Sequence, residues 1–89
     1  MAKLTKSSGL EVHLVDDGYV IYDEANDRVH YLNATSALVW ELADGSTDVA
    51  GLAALTAQAF DLDESPLPTV ADAVGDLRRE GLLVEVADA

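Results

Sequence analysis

Few side chains in this 89-residue chain are of types that carry out chemistry, and their spacing is the first thing to weigh. His13 and His30 are the only histidines and there is no cysteine, so no thiolate site, disulfide or Cys nucleophile can form. Two isolated histidines with no helical His pair do not complete a metal set. Asp16-Asp17 and Asp63-Glu64 pair carboxylates by sequence alone. Both fall in polar, turn-like stretches with no neighbour suited to general acid–base work. Ser7-Ser8-Gly9 lacks the strand–turn–helix setting of an activated serine. Asn33-Ala34-Thr35 matches a glycosylation sequon, but a helix cap explains the same residues. The pattern predicts no enzyme activity, no cofactor and no metal. Binding is left as the function.

What could be bound is narrowed by charge. Seventeen Asp and Glu against five Lys and Arg give a formal net charge of −12. Such a surface repels phosphate backbones and anionic lipid, so neither nucleic acid nor membrane is an expected partner. The hydrophobic fraction of 49% is that of a folded domain, and the 25% charged residues are expected on its surface. No apolar run approaches the roughly 18 residues of a membrane span, and the N-terminus has no signal-peptide h-region. A cytoplasmic location is the resulting expectation.

Positioning elements follow from periodicity. Leu10–Val15, Tyr19–Asp23 and Arg28–Leu32 are rich in β-branched and aromatic residues, separated by Asp16-Asp17-Gly18 and Glu24-Ala25-Asn26-Asp27. These spacings predict an antiparallel meander with the second strand central and the third at an edge. From residue 33 the period becomes helical. Asn33 is placed to cap a helix through Ala43, with Gly45 as its left-handed stop. A second helix is expected from a Thr47 cap, with Asp48 at its positive end, through Val49, Leu52, Leu55 and Phe60. After DLDESPLP, Thr69-Val70-Ala71-Asp72 has the form of a capping box, and Val70, Ala73, Val74 and Leu77 make an apolar stripe toward Gly81. Leu82–Val86 reads as a short extended tail on the core. The expected organisation is a flexible tail over residues 1–9, one domain over 10–86 and a tail over 87–89. The fold class is α+β, a three-stranded antiparallel sheet followed by three helices.

The run Y-L-N-A-T-S-A-L-V-W-E-L-A-D-G, the Thr-Asp-Val helix start, the Phe-terminated second helix and V-A-D-A-V-G-D-L-R-R-E-G-L-L together resemble the PqqD family. Proteins of this kind are the recognition elements of ribosomally synthesised, post-translationally modified peptide pathways. The similarity spans roughly residues 10–84. It implies a winged helix-turn-helix-like fold that binds the leader segment of a precursor peptide without catalysis. The leader adds as a strand beside the third strand, in the cleft against the third helix, and is presented to a separate modifying enzyme such as a leader peptidase or a radical-SAM enzyme. An unpaired edge strand is in any case a template for β-augmentation.

Carried over by position, the peptide-binding residues are Arg28, Val29, His30, Tyr31 and Leu32 on the strand and Val70, Ala73, Val74, Leu77 and Arg78 on the helix Thr69–Glu80. Because Arg28, Arg78 and Arg79 are the only cations outside the N-terminal tail, an acidic leader is the expected ligand. A protein–protein adaptor using the same sheet edge fits the residues equally. A winged-helix DNA regulator fits poorly: its third helix would carry Asp72, Asp76 and Glu80 against Arg78 and Arg79, a local charge of −1. Which natural-product class is served, whether lasso peptide, radical-SAM-modified peptide or peptide-derived redox cofactor, is not encoded in the residues.

Overall fold

The computed structural model describes residues 3–86. The order of elements is β1 (Leu4–Lys6), β2 (Leu10–Val15), β3 (Gly18–Asp23), β4 (Arg28–Asn33), α1 (Ala34–Leu42), β5 (Asp44–Thr47), α2 (Val49–Phe60), α3 (Leu67–Arg79) and β6 (Leu83–Glu85). A single 3-10 turn, Glu24–Asn26, joins β3 to β4. The expected α+β class, with three helices after a three-stranded antiparallel meander, is the one observed.

The meander has the order β2-β3-β4, with β3 central. Its register places Val12, Ile21 and His30 in one cross-strand row, and Leu14, Tyr19 and Leu32 in another on the same face. That face is the inner one, because Ile21 and Leu32 are buried. Val29 and Tyr31 alternate to the outer face and stay exposed. His13 is opposite Val20 and Tyr31 in register, so the two histidines face opposite sides of the sheet and cannot share a ligand. Among the described residues no cluster of three or more His, Asp or Glu could hold a metal ion. None of the described helices is long and apolar enough to cross a membrane.

A second sheet, β5-β1-β6, is not among the sequence expectations, although its strand β6 falls within the extended tail expected over Leu82–Val86. Residues 4–6, expected to be flexible tail, form its central strand, and Leu4 is only 2% exposed. Of the expected tail, residues 1–2 lie outside the described residues, as do 87–89. Lys6 ties β1 to the end of α1, its Nζ donating to the carbonyls of Glu41 (2.8 Å) and Ala43 (3.3 Å) and lying over the Trp40 ring. The helix end differs from expectation: α1 stops at Leu42, Ala43 is extended, and Gly45, at φ +90°, sits inside β5, which pairs with β1, instead of terminating the helix.

The caps at the other ends follow local chemistry. Asn33 Oδ1 accepts from Ser36 N at 2.9 Å, and Asp48 Oδ1, not Thr47, accepts from Gly51 N at 2.9 Å. Helix α3 begins at Leu67, two residues before the expected Thr69 capping box, with proline in its first turn and no side-chain cap. The core lies between the inner sheet face and the helices, where Trp40 stacks edge-on with Tyr19 and donates from Nε1 to the Leu82 carbonyl at 3.0 Å.

Candidate peptide-binding cleft

Strand β4 is an edge of its sheet, so one side of its backbone has no strand partner among the described residues. Beyond that edge stands α3, and between them lies a cleft of about 350 Å³. The cleft exists because the floor is set back. Leu32, Leu77 and Leu82 are buried beneath it, and Ala73 contributes only a methyl group where a larger residue would close the gap.

The residues expected at the site divide into three groups. Val29, His30, Tyr31, Leu32, Ala73 and Leu77 line the cleft. Arg28 stands at its end, joined across it by Nη1 to Glu80 Oε2 at 3.4 Å. Val70, Val74 and Arg78 do not line it. Val70 and Val74 are turned into the core, and Arg78 reaches away to Glu85 of β6, at 2.9 Å. Both outcomes have a helical reason: on α3, Val70, Val74 and Leu77 face inward, whereas the cleft wall is the neighbouring row Ala73, Asp76, Leu77 and Glu80, at spacings of three, four and seven.

Asp76, Glu80, Ser36 and Leu82 line the cleft but were not among the expected residues. The spacing from Ala73 to Asp76 and Glu80 was readable in the sequence. Ser36, in the first turn of α1, had no signal beyond its proximity to the Asn33 cap. Leu82 is brought in by the turn after α3, where its N–H donates to the Leu77 carbonyl at 2.8 Å.

Electrostatically the cleft is mixed instead of basic. The Glu80 carboxylate lies 3.4 Å from Arg28 and 3.7 Å from His30 Nδ1. The His30 side chain is 12% exposed, and its Nε2 is buried without a hydrogen-bond partner among the described residues. Asp76 is held by Arg79 at 2.7 Å. Tyr31, on the outer lip, has its hydroxyl pKa raised, first by hydrogen bonding to the Asp17 carboxylate, then by desolvation and by that carboxylate's charge. The free basic patch expected from the arginines is therefore not what the fold builds, since all three arginines are engaged by carboxylates.

The fold recurs in the structure of TbiB1 in complex with the TbiA(beta) leader peptide, with a TM-score of 0.70 and 20% identity over 94% of this chain and 99% of that one. It recurs again within a heterocyclase in complex with substrate and cofactor, with a TM-score of 0.66 and 17% identity, covering 98% of this chain but 11% of that one. At these identities the likeness is one of fold. No curated protein matches the sequence. Residues 18–83 match the family described as coenzyme PQQ synthesis protein D, a span that includes β3, both walls of the cleft and the turn bearing Leu82, and the chain belongs to this PqqD family.

Proposed function

We propose that the domain binds the leader segment of a ribosomally made precursor peptide as an added strand on β4, and delivers it to a separate modifying enzyme without catalysing a step itself. The observation that carries this reading is an open strand edge facing a helix across a cleft of about 350 Å³. A strand laid there would satisfy the unpaired N–H and C=O groups of Arg28–Asn33, and its alternate side chains would point down onto Leu32, Ala73 and Leu77. The remaining side chains would lie beside Val29 and Tyr31, which are 64% and 55% exposed. Membership of the PqqD family and the leader bound to TbiB1 support the same role. The cytoplasm, where precursor peptides are made, is the compartment this role requires.

Such an interface is small and must order a flexible peptide, so main-chain bonds alone would give weak binding. The apolar floor has to supply the rest. The test is amide exchange of isotope-labelled protein with a synthetic leader encoded by a neighbouring precursor gene. Slowed exchange along Arg28–Asn33, with Leu10–Val15 unchanged, is the expected result. Equal protection of both sheet edges, or protection confined to the helices, refutes strand addition at β4.

A further inference from the structure

A second hollow, of about 430 Å³, lies across the first turn of α1 from the cleft. Ser36 faces the cleft, whereas Ala34, Ala37 and Leu38 face this hollow. Ala34, Ala37 and Ala59 leave room that no described side chain fills, and Tyr19 and Phe60 add aromatic walls. Phe60 is 44% exposed, and Leu14, the cross-strand partner of Tyr19, is 79% exposed beside it. Asp16 and Asp17 form the rim, and Asp61 follows Phe60 at the end of α2.

Among the described residues, neither Asp16 nor Asp17 has an ion-pair partner, while each arginine does. The uncompensated carboxylates thus border an apolar hollow large enough for a bulky side chain. A second copy of the chain would bring the same carboxylates against these, so self-association is disfavoured. A leader on β4 would have to cross the capped N-terminus of α1 to enter.

Building on the proposed leader-binding role, we infer that this hollow docks the modifying enzyme, taking a large apolar side chain flanked by Lys or Arg on the enzyme's surface. The domain would then hold its two partners on opposite sides of one helix turn. Both could be bound at once, and tethering would raise the enzyme's effective concentration of substrate.

The experiment uses the full chain, the leader peptide and the modifying enzyme encoded by its genomic neighbours. Ala59→Leu fills the hollow from an exposed position, and Asp16→Lys reverses its rim. Calorimetry should show leader affinity within about twofold of wild type for both variants, and affinity for the enzyme reduced by about tenfold or more. The Asp16→Lys loss should shrink as salt rises, whereas the Ala59→Leu loss should not. Normal leader binding with unchanged enzyme affinity overturns the inference alone. Parallel loss of leader affinity assigns the hollow to the leader, and a wild-type dimer abolished by Ala59→Leu assigns it to a second copy; either overturns it. Failure of the wild-type chain to bind leader at all refutes the proposed function instead.

Discussion

Glu80→Gln isolates the electrostatic contribution of the cleft. The substitution keeps the size and hydrogen-bonding capacity of the side chain but removes the charge that faces Arg28 at 3.4 Å and His30 at 3.7 Å. Two unit charges 3.4 Å apart interact by about 1.2 kcal/mol in water. The side chains of Arg28 and Glu80 are 63% and 43% exposed, so solvent screening holds the net worth of the pair below about 1 kcal/mol. Folding stability should change by no more than that. Freed from Glu80, the Arg28 guanidinium becomes available to an acidic leader residue placed opposite it. The gain should be about three- to fivefold in affinity at low salt, from the same ~1 kcal/mol. It should fall toward unity as the Debye length shrinks to about 3 Å near 1 M salt. Arg28→Glu should do the reverse, setting two carboxylates side by side and weakening the same leader. Fluorescence titration with paired leader peptides, carrying Glu or Lys at that position, reads both effects. If neither variant distinguishes the two peptides at low salt while the fold is intact, recognition is apolar and the Arg28–Glu80 pair has no part in it.

Leu4→Ala should cost about 2–4 kcal/mol in chemical denaturation, because Leu4 is a buried core residue on the central strand of the second sheet; a cost below 0.5 kcal/mol would mean that β1 is dispensable. Gly18→Ala should destabilise by more than about 2 kcal/mol, since a Cβ there would clash with the Leu32 carbonyl oxygen and force β3 and β4 apart. Thermal unfolding checks it, and an unchanged midpoint would refute the close approach. Tyr31 should form tyrosinate only above the ordinary value of 10.0, and Asp17→Asn should bring that transition down, as read by ultraviolet titration against Tyr31→Phe. Because the folded pKa is raised, this contact stabilises the fold fully below the unfolded pKa and is lost as pH rises through the folded one.

How much of this was legible in the sequence follows from the range of the interactions. Asn33 caps α1 through a contact three residues away, and such local chemistry is readable from types and spacing, whereas at α2 two adjacent cap-forming residues, Thr47 and Asp48, left the expected cap one residue early. The meander was readable too, because alternation and turn residues mark β2, β3 and β4. Strand β1 was not. Leu-Thr-Lys has no periodicity, and it becomes a strand only by pairing with Asp44–Thr47 and Leu83–Glu85, far along the chain. The early start of α3 escaped for a different reason: Thr69 and Asp72 fit a capping pattern, but proline at the helix start lets the helix begin at Leu67 without one. At the cleft, alternation along β4 showed that Val29 and Tyr31 share a face but not which face. Only the cross-strand row of Val12, Ile21 and His30 settles that, and it places His30 inward.

Leu82 connects the two halves of the molecule. Its side chain is buried under the cleft, while its carbonyl accepts from Trp40 Nε1 at 3.0 Å and from Ser7 N at 3.1 Å. The cleft floor is therefore bonded to the central helix and to the segment leading out of β1. Leu32 and Leu77 are likewise shared between the floor and the core. Truncating any of these three would open a cavity in the core and lower stability by about 2–5 kcal/mol, a large share of what an 89-residue domain has. Loss of peptide binding in such variants would report on folding as much as on recognition. Residues of the rim escape this coupling, because Arg28, Val29, Tyr31 and Glu80 are exposed. They can differ among chains of this fold at little cost to stability, whereas the floor cannot. Specificity for one leader over another is then expected to reside in the rim, and affinity common to all leaders in the floor.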